Sequence, residues 1–268
     1  MKKKITIYDV GAANFLSPHF PLDDRFNYVH FEPDRRGLEN LKTWLERKGT
    51  RASHVFFNKA VGDSEKTSTL HLAQKNTASM IVDQNFDGPS IQVEMTNLAG
   101  IIKKEDLPHP DVVKIDVEGF ELSVLTGIDF KNKNLLLVEI EVTLKAHTLP
   151  GVVATLSENG FSLAKVRTHG DQKYNPRNWF RGKIQGLMRK LGLANYAVVK
   201  SEESWSKPST LLTQIELIFV RGVDPNSDDY TQSAICEIYG LASRQSPTKK
   251  LQCGQKNVKF LNDITLIR

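Results

Sequence analysis

The sequence predicts an α/β fold built on a mostly parallel sheet. Short apolar runs alternate with amphipathic stretches of helical period over the first 160 residues. The stretches between the runs are long enough for right-handed crossovers. Acids also recur where the runs end, at Asp9, Glu32, Asp116, Glu139 and Glu141, the edge at which open sheets bind ligands.

Taken in order, ITIYDV (5–10) is a strand, followed by a loop with Gly11, Pro18 and Pro21. NYVHFEP (27–33) is the second strand, and RGLENLKTWLERKG (36–49) is an amphipathic helix stopped at Gly49. HVFFNKAVG (54–62) reads as a third strand and KTSTLHLAQ (66–74) as an extended excursion. EMTNLAGIIKK (94–104) reads as a short helix before the fourth strand, DVVKID (111–116). A helix over 118–126 follows, with Leu122 and Leu125 on one face and Gly127 at its stop.

NLLLVEIEV (134–142) is the fifth strand, GVVATLSENG (151–160) a helix and FSLAKVR (161–167) the sixth strand. TQIELIFVR (213–221) is the seventh. The domain is expected to span 1–222, with 168–212 as an insertion. There Ile184, Leu187, Met188 and Leu191 share one helical face opposite basic residues. Residues 223–268 open with the linker-like DPNSDD and form an extension to which the pattern assigns no structure.

With 40% hydrophobic and 25% charged residues in 268, this is the composition of an ordinary globular chain. The net charge of +5 is concentrated in 165–200, where nine Lys and Arg face one acid, Asp171. That describes a local basic surface, and nucleic-acid binding by the whole chain is not expected. Two cysteines, Cys236 and Cys253, are too few for a disulfide scaffold, so a cytoplasmic setting is expected. The short apolar run after MKKK reads as a first strand rather than a signal peptide, and no run reaches membrane-span length.

Like charges gathered in one crevice repel, so the strand-end acids point to a cationic, hydroxyl-rich ligand or a metal. Glu32 follows Asp9 by 23 residues, close to the ~20 at which nucleotide-binding βαβ units place an acid on ribose hydroxyls. Gly11 lets the backbone approach a ligand closely. The loop DVGAANFLSPHF lacks GxGxxG, however, and with it the cradle for a pyrophosphate. A nucleoside without a pyrophosphate fits better. S-adenosylmethionine is such a ligand, and Asp9 is placed to meet its ammonium group.

YDVGAAN (8–14), HFEPD (30–34), NKAVGD (58–63) and above all KIDVEGFELSVLTG (114–127) resemble the FkbM-type family of S-adenosylmethionine-dependent methyltransferases. The resemblance continues through LLLVEIEV, ENGFSLAKV and QIELIFVR, over residues 5–221. It implies a class I methyltransferase Rossmann-like sheet of seven strands, the last antiparallel, with helices on both faces. By this resemblance Asp9, Gly11 and Asn14 form the first cofactor loop, Glu32 holds the ribose, and Ala60 and Val61 flank the adenine. Asp116 and Glu118 lie beside the transferring methyl group. Phe15 stands where many members have a second glycine, and Ala99 where the family usually has an aspartate.

Each site residue has a plainer reading. Glu118 and Glu121 serve the dipole of a helix they begin, one of Glu139 and Glu141 pairs with Lys145 or another surface cation while the other points into the cleft, and His30 is a core residue. His147 is a second candidate base after Asp116. A divalent ion held by Asp116 with Glu139 or Glu141 is the alternative way to acidify an acceptor hydroxyl. The 179–193 helix packs on the sheet, covers the crevice as a lid with Trp179 and Phe180 for a sugar ring, or touches a membrane surface. The expected activity is O-methylation of a sugar, glycan or glycolipid-type acceptor. A NAD-dependent Rossmann oxidoreductase and a catalytically silent binding module are the competing readings.

Overall fold

The computed structural model describes residues 3–72, 88–143, 148–169, 198–200 and 214–241. Eight strands form the main sheet. In chain order they are β1 (Ile5–Val10), β2 (Phe26–Phe31), β3 (Ser53–Phe57), β7 (Val112–Ile115), β8 (Leu137–Thr143), β9 (Ser162–His169), β10 (Val198–Lys200) and β11 (Gln214–Val220). Across the sheet the order is β10-β9-β11-β8-β7-β1-β2-β3. β11 runs antiparallel to both β8 and β9, and every other pairing is parallel. The expected seven strands with an antiparallel last member are present, and β10 adds an eighth at the edge.

A smaller sheet of order β4-β6-β5 lies beside it, from β4 (Ala60–Val61), β5 (Lys66–His71) and β6 (Ser90–Thr96). It corrects two expectations. The run 54–62 is not one strand, because it breaks after Phe57, where Asn58 Nδ2 donates to the carbonyls of Glu32 and Pro33 at 2.9 Å. Nor does the helix expected over 94–104 begin at Glu94. Residues 94–96 complete β6, and the Asn97 side chain caps α2 (Leu98–Lys104) by accepting the Gly100 amide at 2.7 Å.

Alternation along the strands divides the core between two faces. One face carries Tyr8, Val10, Val113, Ile115 and Ile140, packed against α2, α3 (Glu121–Thr126) and α4 (Leu149–Glu158). The other carries Ile5, Ile7, Phe26, Tyr28, Val112 and Leu137. Leu41 and Leu45 of α1 (Arg35–Lys48) cover part of it; Asp34 caps that helix, and Gly49 ends it at φ 62° as expected.

No helix joins β1 to β2. Leu16 and Phe20 of that connection pack on the second face together with Ala234, Ile235 and Tyr239 of α5 (Tyr230–Tyr239). This helix lies in the extension to which the sequence pattern assigned no structure. Asp229 caps it at the end of the DPNSDD segment. No helix of the described residues is long and apolar enough to cross a membrane.

Candidate active site

The carboxyl ends of β1, β2, β4 and β7 converge. Gly11 and Ala12 donate their amides to the Phe31 carbonyl, Glu32 donates to Phe57, and Asp116 donates to Val10. Gly11 has φ 83°, and a Cβ there would lie 1.8 Å from the Asp116 carbonyl oxygen. Glycine is thus needed for the close approach of two chain segments as well as for the turn. The resulting cleft is lined by Gly11, Glu32, Ala60, Val61 and Asp116, all of them site residues expected from the sequence. Val10, Phe31, Val117, Phe120 and Leu70 supply apolar wall, with Pro33 and Lys59 at its margin. A second, open groove between Ile128–Lys133 and Glu158–Gly160 lies at the opposite edge of the sheet, before β8 and β9 begin.

Glu32 is 6% exposed, and its Oε1 accepts the Asp34 amide at 2.7 Å. Burial, reinforced by the charges of Asp34, Asp9 and Asp116, pushes its carboxyl up to about 8. A carboxyl held this way gains from hydroxyl donors that stabilise its ionised form.

Asp9 does not line the cleft. It is 2% exposed within β1, where its Oδ2 lies 3.1 Å from His30 Nδ1 and its Oδ1 3.4 Å from Lys114 Nζ. Burial opposes its charge, but Lys114 and His30 outweigh burial and hold the carboxyl below its ordinary range. Asn14 is also directed elsewhere. It adopts φ 65°, its amide donates to Gly37, and its side-chain oxygen accepts from Asn40 Nδ2 at 2.9 Å, tying the first loop to α1.

Past β7, the structure corrects the helix expected over 118–126. Glu118 and Gly119 take left-handed conformations, φ 51° and 102°, and α3 begins only at Glu121. Glu118 is therefore no first-turn residue. Glu121 is one, but its carboxylate is fully buried and accepts two hydrogen bonds, from the Gly119 amide at 2.7 Å and the Thr148 hydroxyl at 2.8 Å. The turn it holds presents Asp116, Glu118 and, from β8, Glu141 to one another.

The carboxylate oxygens of these three lie within 4.8 Å of one another. Among the described residues they form the acidic group able to converge on one divalent ion. Glu139, named with Asp116 from the sequence, is not a member. It is 2% exposed, accepts from the Tyr239 hydroxyl at 2.7 Å and lies 3.1 Å from His19 Nε2. Burial and the charge of Asp116 push the Glu141 carboxyl well above its ordinary range against the pull of Lys114.

Two contributors were missed in the sequence reading. Lys114 Nζ lies 3.4 Å from both Asp9 Oδ1 and Asp116 Oδ2, and its signal was a lone cation inside the apolar run VVKI. His19 had no signal beyond its place in the first loop. His147, Lys145, Trp179, Phe180, the 179–193 helix and Cys253 lie outside the described residues. His30 is the cross-strand core residue expected, and Cys236 is a buried free thiol.

The family model for the methyltransferase FkbM domain matches residues 9–163, more than half of the chain and all of the converging strand ends. The chain belongs to the FkbM methyltransferase domain family. The FkbM match begins at Asp9 and includes Glu32, Ala60, Val61, Asp116, Glu118, Glu121 and Glu141.

This FkbM-type chain is similar to methyltransferase sdnD of Sordaria araneosa, 27% identical over 146 residues. That similarity takes in 49% of this chain, which spans only 56% of the relative's length. Among solved structures it is similar to a proposed methyltransferase of Thermoplasma acidophilum, with TM-score 0.38 and 9% identity over 82% of this chain and 70% of that one. It is also similar to the StiE O-methyltransferase segment, with TM-score 0.36 and 9% identity over 92% and 77%.

Proposed function

We propose that this FkbM-type domain is an S-adenosylmethionine-dependent O-methyltransferase acting on a hydroxyl of a sugar, glycan or glycolipid-type acceptor. The observation that carries the reading is one cleft lined jointly by Glu32, the Ala60–Val61 pair and Asp116, which come from three different strand ends. A buried carboxyl beside an apolar slot matches a ribose diol joined to a purine. The apolar residues Ala60, Val61, Leu70 and Phe120 suit the base, and the Glu32 carboxylate suits the two hydroxyls.

When bound, S-adenosylmethionine supplies a methyl group on a sulfonium, open to direct displacement by an oxygen nucleophile. The protein's part is mainly in-line positioning. Asp116, at 31% side-chain exposure, is open enough to meet an acceptor hydroxyl, accept its proton as the new O–C bond forms, and release that proton to water. Glu118, brought beside it by the left-handed turn, orients the acceptor.

Calorimetry with S-adenosylmethionine and NADH tests the cofactor. S-adenosylmethionine should bind, and Glu32→Ala should weaken it about tenfold or more; binding of NADH alone would overturn the reading. An acceptor panel followed through release of S-adenosylhomocysteine then tests the O-methylation. Turnover on an amine rather than a hydroxyl would reassign the acceptor.

A further inference from the structure

We propose that Lys114 is a positioning residue that fixes the charge of the methyl-transfer site, acting through Asp116 as the site's built-in cation. The inference rests on the S-adenosylmethionine reading above and deepens it.

Lys114 is the cross-strand partner of Asp9 on one side and of Glu139 on the other. Its side chain is 14% exposed, and its ammonium stands 3.4 Å from a carboxylate oxygen of Asp9 and 3.4 Å from one of Asp116. The acidic groups around it are Asp9 from β1, Asp116 just past the end of its own strand, and Glu139 and Glu141 from β8. The carboxylates of Asp9 and Asp116 beside it favour the charged ammonium.

Asp9 already shares its second oxygen with His30, and Glu139 is held by His19 and Tyr239. Asp116 is the partner of Lys114 that lines the cleft.

The physical need follows from the reaction class. A sulfonium is positive in the ground state, and that charge fades from sulfur as the methyl leaves. A strongly anionic site would hold the ground state more firmly than the transition state, and such binding does not accelerate the chemical step. An ammonium behind Asp116 limits that effect while orienting the carboxylate toward the cleft.

The test compares S-adenosylmethionine with S-adenosylhomocysteine by calorimetry, because the two differ only in the sulfonium methyl and its charge. Lys114→Met should shift the ratio of their dissociation constants toward the cation by about tenfold, as expected for removing one nearby charge. A purely structural lysine would weaken both ligands alike. Since Lys114→Met leaves the buried Asp9 with His30 alone and the variant can fail to fold, the Asp9→Asn/Lys114→Met double variant is measured against Asp9→Asn, where the same shift is expected. A ratio within twofold of its reference in either comparison overturns the role of Lys114 and leaves the methyltransferase reading standing. Wild-type protein that binds neither ligand overturns both.

Discussion

Glu121 Oε2 accepts the Thr148 hydroxyl at 2.8 Å, while Oε1 accepts the Gly119 amide at 2.7 Å. One buried carboxylate thereby ties the left-handed turn after β7 to the residue preceding α4. Burial pushes the Glu121 carboxyl above its ordinary range, opposed by these two donors. Glu121→Ala removes both acceptors and leaves the buried Thr148 hydroxyl and the half-buried Gly119 amide unsatisfied, at a cost of about 2–4 kcal/mol. Glu121→Gln keeps the acceptor for Gly119 and should lose much less. Urea denaturation distinguishes the two, and equal losses would mean that the turn does not depend on the clamp.

Glu32 gives a pH dependence of definite sign. Its carboxyl rises from 4.5 to about 8 on folding, so the unfolded chain releases this proton first. The stability it contributes is complete below pH 4.5 and is lost as pH rises toward 8. Glu32→Gln should therefore raise stability at pH 8 by about 1–3 kcal/mol, leave it unchanged near pH 4, and weaken S-adenosylmethionine binding. In wild type, ligand hydroxyls favour the ionised carboxyl, so binding should strengthen between pH 6 and about 8 and then level off. Denaturation and calorimetry across that range read both effects.

Periodicity made the main strands and α1 legible, because each buries one or two faces over several residues. Elements set by tertiary context were not. The sequence YTQSAICEIY has no sharp apolar stripe, yet it becomes α5 because the β1–β2 connection carries no helix and leaves a sheet face to cover. The break after Phe57 depends on an asparagine bonding to the neighbouring strand end. That Glu32, Gly11 and Asp116 line one cleft could be anticipated because they stand where strands end. Asp9 could not be separated from them without the strand order, which brings Lys114 and His30 to its two sides.

His54 should make the fold acid-sensitive. Its ring is stacked between Tyr28 and Phe56, with Nδ1 3.0 Å from His30 Nε2 and Nε2 3.0 Å from Thr50 Oγ1. Burial and the neighbouring His30 lower it from 6.5 to about 4. A depressed histidine contributes stability above 6.5 that is lost as pH falls toward 4. After allowance for partial exposure the loss is about 1–2 kcal/mol. His54→Gln should flatten that part of the stability profile; an unchanged slope between pH 6.5 and 4 would assign the acid sensitivity elsewhere.

Two glycines with positive φ should respond very differently to alanine. At Gly49 an added Cβ meets nothing within 4 Å, so Gly49→Ala carries only the left-handed penalty of about 1 kcal/mol. At Gly11 the added carbon would overlap the Asp116 carbonyl oxygen, which is backbone and cannot rotate away. Gly11→Ala must push apart the ends of β1 and β7, adding about 1–3 kcal/mol of overpacking to the same penalty. It should also weaken S-adenosylmethionine binding, whereas Gly49→Ala should not. Thermal melts with and without the ligand check both statements.

Tyr239 tests whether α5 belongs to the folded unit. It is fully buried, its hydroxyl donates to Glu139 at 2.7 Å, and its carbonyl accepts from Lys165 Nζ at 3.0 Å. Burial alone would disfavour a charged Glu139, but His19 and Tyr239 help hold its carboxyl down at about 2. Tyr239→Phe keeps the ring packing and removes one donor to that carboxylate, which should cost about 1–3 kcal/mol at neutral pH. The cost should shrink as pH falls toward 2, where Glu139 takes up a proton. Truncation after Arg221 goes further, exposing the sheet face under Ile235 and Tyr239 along with Leu16 and Phe20, and the shortened chain should melt well below the full one or fail to fold. A truncated chain as stable as the full one would make α5 an appendage rather than the missing layer over β1.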